Sequence, residues 1–309
     1  METCDQPINL RVCVSCGHSA GDNPIYIKET YEMGRLIAQM GFRLDYGFSN
    51  SGVMGAVAKG VLDEWEKNNK KKYPNISPIV GVTTEQYYNL YPKDEFLEKI
   101  TEIVLTDTIE NRKKKLFDAD IIVFAPGGVG TLDELAYDCV AMQDGFIKTK
   151  PFIFYNINGF FYNILEFLKD MVNTKFAEPI PFIVVDNNKE LEIVFRLLKL
   201  RYNSCESFKE AYYHARKLAF EMPYFIKKIN KRTSVETLLA KMMEIEQNGT
   251  YQQKKQLQNK IEQAYLEKEI NRMRKRLSIA EQNSKVVAKK LAKLQTSQQN
   301  SSTNKKAKT

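Results

Sequence analysis

Residues Asp120–Asp138, "DIIVFAPGGVGTLDELAYD", join a short apolar run to a helical pattern through a glycine-rich turn. The apolar run is typical of a buried strand, and the apolar spacing over Leu132–Gln143 is typical of a helix. Backbone N–H groups at a helix start carry partial positive charge and can face an anion. The stretch therefore predicts a strand, an anion-binding turn and a helix that begins with two carboxylates, Asp133 and Glu134.

Similar strand-like runs recur through about the first two hundred residues. They read "LRVCVSC" from Leu10, "FRLDYG" from Phe42, "SPIVGV" from Ser77, "EIVLTD" from Glu102, "KPFIFYN" from Lys150 and "IPFIVVD" from Ile180. Helical patterns separate them, and strands this apolar are buried on both faces, as in a parallel sheet covered by helices. With right-handed crossovers, the chain is predicted to form an α/β, Rossmann-like doubly wound parallel sheet. Ligands of such sheets bind beyond the carboxyl ends of the strands.

The net charge of +8 is unevenly distributed along the chain. Residues from Cys205 onward carry +13, whereas residues 1–204 carry −5. We therefore expect a mildly acidic body with a basic C-terminal part, for which nucleic acid or an acidic partner is one candidate target. The chain has no run of 18 apolar residues and no apolar leader, so we expect a cytoplasmic protein without membrane contact.

The cysteines do not predict a disulfide framework, and their spacing favours a reducing compartment. Cys13 and Cys16 form a C-x-x-C on the first strand, where packed thiols are a better interpretation than redox or metal chemistry. The only histidines are His18 and His214. We therefore expect neither a metal site nor a cofactor.

Strand-like patterns stop after Leu200. We predict a nucleotide-binding catalytic domain over residues 1–204 and a helical linker over 205–249 that is broken at Pro223. A basic helix over 250–296 and a disordered basic tail over 297–309 follow. In the basic helix, apolar positions recur at alternating steps of four and three, which is the spacing of a coiled coil. The positions of this repeat are Leu266, Ile270, Met273, Leu277, Ala280, Ser284, Val287, Leu291 and Leu294, of which Ala280 and Ser284 weaken the middle. A lone charged helix is the alternative.

Gly127, Gly128 and Gly130 let the backbone approach a phosphate closely, and Thr131 is expected to cap the following helix. No Lys-Ser/Thr follows the turn, so it is not a Walker motif and ATP hydrolysis is disfavoured. The upstream "NRKKK" (Asn111–Lys115) opens another helix near the same sheet edge. An arginine there can bind a phosphate or a carboxylate through two hydrogen bonds. Ordinary helix-start electrostatics and a solvated basic face remain the structural alternatives.

The motif "PGGVGTLDE" (Pro126–Glu134), together with "NRK" (Asn111–Lys113), resembles the P-G-G-x-G-T-x-x-E and R-K signature of the Lonely Guy family. These enzymes are cytokinin riboside 5′-monophosphate phosphoribohydrolases, which older descriptions often call lysine decarboxylases. The similarity spans roughly residues 9–200. It implies hydrolysis of the N-glycosidic bond of a nucleoside 5′-monophosphate in a homodimer, with no metal required.

Matched by position, the resemblance implies that Arg112 and Glu134 are the catalytic pair. The substrate-binding residues that it implies are Arg112, Lys113, Gly128, Val129, Gly130, Thr131, Leu132, Asp133, Glu134 and Val140. The turn would hold the phosphate while Glu134 stabilises positive charge on the sugar and takes a proton from water. We expect Asp133 to point away. The loop "GFSNSG" departs from the family's G-G-G-x-x-G, and Ile109-Glu110 replaces its Met-His.

Two further functions remain open. The first is a non-catalytic nucleotide or cofactor carrier, or a sensor, on the same fold, which the altered "GFSNSG" loop favours and the retention of Arg112 and Glu134 disfavours. The second is an interaction protein that acts through its basic coiled-coil tail on a coiled-coil partner or on nucleic acid. Beyond residue 265 the tail has no aromatic residue on which bases could stack.

Overall fold

A computed structural model of the chain describes residues 10–69, 76–90, 93–201, 205–229 and 233–306, with the side chains of the last helix described up to residue 289. The strands in these ranges are β1 (Arg11–Ser15), β2 (Arg43–Tyr46), β3 (Ile79–Thr84), β4 (Glu102–Thr106), β5 (Ile121–Phe124), β6 (Phe152–Tyr155) and β7 (Phe182–Val185). They pair in parallel in the order β4-β3-β2-β1-β5-β6-β7. The predicted doubly wound α/β sheet is confirmed. Its growth reverses between β1 and β5, which makes that edge the topological switch point.

The α-helices of the described residues are α1 (Ile25–Gln39), α2 (Gly52–Glu64), α3 (Glu85–Leu90), α4 (Glu95–Glu98), α5 (Ile109–Leu116), α6 (Val129–Gln143), α7 (Tyr162–Asn173), α8 (Asn188–Arg201), α9 (Phe208–Lys228), α10 (Val235–Asn248) and α11 (Tyr251–Lys306). Several begin after a side chain that accepts a backbone N–H three residues on, as at Thr108, Ser207 and Ser234. Such N-cap bonds satisfy N–H groups that the helix itself leaves unpaired, and so fix where each helix begins.

Helices cover both faces of the sheet. Because successive side chains of a strand point to opposite sides, each strand contributes to two separate cores. In β1, Val12 and Val14 join a core with α1, α2 and α8, whereas Cys13 joins a second core with α5, α6 and α7. Ser15 has the same parity as Cys13 and is buried. Its hydroxyl therefore points to the side of the sheet that carries α5 and α6.

Helices α9 and α10 and the first turns of α11 pack on the body. Their buried side chains belong to the same core as Val12 and Val14 of β1; among them are Leu218, Met222, Phe225, Leu238, Leu257, Ile261 and Ala264. The segment predicted as a linker thus contributes to the core. The predicted break at Pro223 is wrong, because α9 continues through this residue. Its neighbours Met222 and Tyr224 are buried, and this packing outweighs the hydrogen bond that proline cannot donate.

Helix α11 has 56 residues, and basic side chains fasten its first half to the body. The contacts are Lys268 with Glu190 (2.6 Å), Arg272 with Asp186 (2.9 Å) and with the Val184 carbonyl (2.8 Å), and Arg276 with Glu166 (2.8 Å). The helix reaches Lys306 and so includes most of the segment predicted to be disordered, because extending a helix is far easier than starting one. Residues 307–309 lie outside the described ranges. No helix within those ranges combines the length and the hydropathy that a membrane span requires.

Candidate active site

The loops that follow β1 and β5 touch each other at the switch point of the sheet. The Gly17 N–H donates to the Pro126 carbonyl at 2.9 Å, and a Cβ on Gly17 would lie 3.0 Å from the Gly127 Cα. A Cβ on Gly127 would collide with the Thr131 hydroxyl. Glycine at these two positions therefore allows the loops to stack at the edge where ligands bind in doubly wound sheets.

Helix α6 starts with exposed backbone. Gly128 is its N-cap and Val129 its first residue, three residues earlier than predicted. The predicted cap by Thr131 is wrong, because Thr131 lies in the first turn with its side chain buried against Gly127. Gly128, Val129 and Gly130 are exposed. The N–H groups at this helix start, which the helix leaves unpaired, are therefore open to an anion.

Glu134 lies on the face of α6 that is turned toward the sheet. The buried residues of this helix recur at helical spacing and are Thr131, Glu134, Leu135, Asp138, Ala141 and Met142. Glu134 Oε1 accepts a hydrogen bond from Arg112 Nη1 at 3.2 Å, and Oε2 accepts one from Ser15 Oγ at 2.5 Å. The carboxylate is thus fixed from α5 and from β1. The helix dipole alone does not explain why Glu134 lies on the buried face, because the dipole would stabilise an acid on the solvent face of the first turn equally well.

Arg112 reaches Glu134 across the ends of neighbouring strands. Its Nε donates to the Val82 carbonyl of β3 at 3.0 Å. Its guanidinium passes under Gly47, where a Cβ would collide with Nη2. The side chains of Arg112 and Glu134 are each 12% exposed. A planar guanidinium enclosed and bonded in this way keeps one orientation, so the pair is arranged before any ligand arrives.

Lys113 and Asp133 form a second, more exposed pair at the start of α6. Lys113 Nζ donates to both Asp133 carboxylate oxygens, at 3.1 and 3.0 Å, and lies 5.0 Å from the centre of the Tyr137 ring. The Asp133 side chain remains 58% exposed. The structure therefore brings these two predicted residues together, with each satisfying the charge of the other.

Leu132 and Val140 lie on the solvent side of α6, where they are 50% and 58% exposed. At about 100° per residue, they point about 160° and 120° away from Glu134 around the helix axis. Of the predicted substrate-binding residues, these two are not brought to the side of the helix that carries Glu134.

The loop Gly47–Gly52 keeps glycine where the backbone requires it. Gly52 has a φ of +56°, and a Cβ there would collide with a carbonyl of the β1 loop. Phe48 also has a left-handed φ of 55°, which is uncommon for a residue with a side chain. Its ring stacks on Tyr88 with the ring centroids 5.9 Å apart. The altered loop thus adds an aromatic pair beside the glycine that covers Arg112.

Sequence analysis missed Ser15, because it reads as part of a buried strand. Its alternation with Val14 assigns it to the face of Cys13, but only the β1–β5 pairing brings that face under Glu134. A hydroxyl at the carboxyl end of a strand beside the glycine turn was the signal available in the sequence.

Asp138 is a second buried acid that sequence analysis missed, one turn beyond Glu134. It is fully buried, and within the described ranges neither of its oxygens has a hydrogen-bond partner. Burial raises the pKa of the Asp138 carboxyl to about 7, against the opposing effect of the Lys150 ammonium. Lys150 itself donates to the carbonyls of Phe117 and Ala119.

Cys13 and Cys16 are buried free thiols. They belong to opposite cores of the sheet, so their sulfur atoms point to different faces. Burial raises the pKa of both thiols. Among the residues that the structure describes, no three potential ligands cluster as a metal site requires.

The same region of the chain is similar to known proteins. A family model described as "possible lysine decarboxylase" matches residues 54–192. Cytokinin riboside 5′-monophosphate phosphoribohydrolase LOG7 of Arabidopsis thaliana is 29% identical over 185 residues, which cover 59% of this chain and 78% of LOG7. The phosphoribohydrolase LOG of Oryza sativa subsp. japonica is 29% identical over 189 residues, which cover 60% of this chain and 72% of that protein. The resemblance to the Lonely Guy family is confirmed.

The family match contains both members of the Arg112–Glu134 pair, together with the glycine turn. Ser15 lies before it, and helices α9 to α11 lie after it. Among solved structures, the molybdenum cofactor binding protein of Rippkaea orientalis is 16% identical with a TM-score of 0.42, covering 63% of this chain and 99% of that protein. Residues Pro126–Glu134, which match the Lonely Guy signature, form three adjoining features of the site. These are the closely packed glycine turn, the exposed start of α6 and the Glu134 carboxylate one turn further along the helix.

Proposed function

We propose that the chain hydrolyses the N-glycosidic bond of a nucleoside 5′-monophosphate, with cytokinin riboside 5′-monophosphate or a similar adenine nucleotide as substrate. The single observation that carries the proposal is the buried Glu134 carboxylate, held by Arg112 and Ser15 one turn inside an exposed helix start. The names of the Arabidopsis and rice relatives support the substrate class.

The 5′-phosphate would bind the N–H groups of Gly128, Val129 and Gly130. The positive end of the α6 dipole and the unpaired amides favour a phosphate at this point. Glu134 lies about 6 Å further along the helix axis than Gly130, a separation that a ribose can span. A nucleotide anchored by its phosphate therefore presents C1′ to the carboxylate, which lowers the entropic cost of reaching the transition state.

Glu134 would act on the sugar. As the C1′–N bond breaks, the bonding electrons leave with the base and positive charge develops on the ribose, where a nearby carboxylate stabilises it. Water adds to C1′, and its proton passes to the carboxylate and then to the departing base. The products are the free base and ribose 5-phosphate. Each oxygen of Glu134 has a second lone pair, so the bonds from Arg112 and Ser15 leave room for this proton.

The other residues would have supporting roles. Arg112 and Ser15 hold the Glu134 carboxylate in one orientation. Lys113 neutralises Asp133, which would otherwise present a negative charge next to the phosphate site. We therefore assign Lys113 an electrostatic role through Asp133.

The test is Glu134→Gln, which removes the charge and preserves the volume. We expect nucleotide binding to be retained and base release to fall by about three orders of magnitude or more, as for other preorganised charges in active sites. Released adenine or isopentenyladenine would be followed by chromatography, with AMP and isopentenyladenosine monophosphate as substrates. Asp144→Asn removes an exposed carboxylate at the end of the same helix and serves as the control. Undiminished base release in Glu134→Gln would refute the proposal.

A nucleotide carrier is the second candidate, because both oxygens of Glu134 are already engaged by protein donors. A carboxylate held in this way also suits a site that binds without turnover. The unsubstituted protein distinguishes the two functions: a carrier binds the nucleotide monophosphates tightly and releases no base from any of them.

A further inference from the structure

Helix α11 carries two opposite faces. Its body-facing residues are Leu257, Ile261, Ala264, Lys268 and Arg272. A second set of apolar residues, which we call the outer stripe, comprises Leu266, Ile270, Met273 and Leu277, each between 43% and 63% exposed. At about 100° per residue, the two sets are centred about 170° apart around the axis. The outer stripe therefore faces largely away from the body, with Met273 and Leu277 at the edge of a cleft that Tyr162 also lines. Its side chains remain exposed enough to contact a partner.

Beyond Ile279 the helix is exposed, although Ala280 and Asn283 still border a cleft with Gly159 and Tyr162 of the body. Every residue from Ala280 to Lys289 is exposed, and the helix continues to Lys306, about 39 Å beyond Ala280 at 1.5 Å per residue. The spacing of the outer stripe continues into this segment through Ala280, Ser284 and the exposed Val287. An isolated helix gains little stability from its own backbone, so a second helix along this stripe would stabilise the projecting segment.

The charges that flank the outer stripe indicate what the partner is. With Ile270 and Leu277 at heptad positions a, and Leu266 and Met273 at positions d, the g and e positions lie at the edges of the stripe. In a parallel, in-register pair of identical helices, each g residue faces the e residue five positions later in the other copy. The facing pairs are Glu269 with Arg274 and Arg276 with Glu281. Both pairs have opposite charges. Within one chain Glu269 also contacts Arg272 and Arg276 contacts Glu166, so each contact across two copies would share its charge with an existing ion pair.

The preceding pair in the same register would be Glu262 with Glu267, which carry like charges. At that level α11 is still packed on the body, and Glu267 forms an ion pair with Lys227 of its own chain. The complementary pattern therefore begins at Leu266, where the outer stripe begins. Because the stripe lies opposite the docking face, the bodies of two paired copies would sit on opposite sides of the helix pair and would not collide.

We propose that α11 pairs with α11 of a second copy of the chain, in parallel and in register, along Leu266–Val287. This pairing is separate from any contact between the sheet-containing bodies. It also does not depend on the reaction proposed above.

The experiment is disulfide trapping of full-length Leu277→Cys, with Ser278→Cys as the matched control. Leu277 lies in the outer stripe and Ser278 is an exposed neighbour outside it; both variants keep all native cysteines. In an in-register parallel pair, position 277 faces its own counterpart. Pairing raises the effective thiol concentration to the order of millimolar. At micromolar protein, we therefore expect Leu277→Cys to form a covalent dimer about 100-fold faster than Ser278→Cys under mild oxidation.

A second change tests the charge pattern. Adding Glu281→Arg to Leu277→Cys puts a positive charge at position 281, opposite Arg276 of the other copy. Because like charges repel, we expect trapping to slow about fivefold. Gln282→Arg, one position further and outside the facing pairs, should leave the rate unchanged. Equal trapping of Leu277→Cys and Ser278→Cys would overturn the proposal. That result would leave the stripe to an antiparallel arrangement, a different protein or a nucleic acid. An unchanged rate with Glu281→Arg would overturn the parallel register.

Discussion

Ser15→Ala removes one of the two side-chain donors that hold Glu134, and its effect can be worked out from the structure. The Ser15 hydroxyl donates to Oε2 at 2.5 Å inside a buried site. A hydrogen bond to a charged group contributes about 1.5–3 kcal/mol. If this stabilisation acts on the carboxylate in the transition state, kcat should fall about 10- to 150-fold, at tenfold for each 1.36 kcal/mol. KM should change little, because the exposed amides of α6 are untouched.

The assay is chromatographic base release under saturating and limiting nucleotide. Because Ser15 acts through Glu134, adding Ser15→Ala to Glu134→Gln should cause almost no further loss, which a double-mutant cycle measures. Ser15→Thr keeps the hydroxyl and should recover much of the activity. The reasoning is refuted if Ser15→Ala raises KM and spares kcat, or if the two substitutions reduce activity independently.

Two further predictions concern stability. The folded-state pKa of Asp138 is raised from 3.8 to about 7, so wild-type stability is lost as pH rises from about 4 toward 7, by up to about 4 kcal/mol at 1.36 kcal/mol per pKa unit. Urea unfolding should show Asp138→Asn gaining stability over wild type between pH 5 and pH 7.5; an equal difference at both pH values would contradict this assignment. Arg272→Ala should destabilise the protein by about 2 kcal/mol, because it removes the arginine partner of the partly buried Asp186 carboxylate, to which the Asn156 amide still donates. Lys285→Ala removes an exposed positive charge of the same helix beyond its contacts with the body and is the control; a similar loss in both variants would argue against a specific docking contact.

The sheet could be predicted from the sequence because its strands are apolar on both faces and its helices separate them regularly. The start of α6 could not. Gly128 and Gly130 have poor helix propensity, and the helix begins there because Gly127 packs between Thr131 and the loop after β1. That contact depends on the pairing of β1 with β5, strands separated by more than one hundred residues.

The sequence predicted the charged residues of the candidate site but not the residue that holds Glu134 from the strand below. Arg112 and Glu134 belong to recognisable motifs, and the structure brings them within 3.2 Å. Ser15 belongs to no motif, because a single hydroxyl in a strand becomes informative only when the neighbour above its face is known. The helix break predicted at Pro223 was wrong for a related reason. The rule that proline ends a helix is local and does not consider the burial of Met222 and Tyr224 on either side, which stabilises α9.

Helix α11 has a first part that packs on the body and a second part that is exposed, and this division determines where the chain can be shortened. Removing everything after residue 249 would strip Leu257, Ile261 and Ala264 from the core and uncover the α9 residues that they contact. Such a truncated protein would fold poorly, and a negative result in an assay of base release or of nucleic-acid binding would be mistaken for a direct role of the basic tail. A cut placed after Arg276 keeps the buried residues and the ion pairs that join α11 to the body, and removes mainly the exposed segment, so that is where the chain separates into a folded body and an appendage.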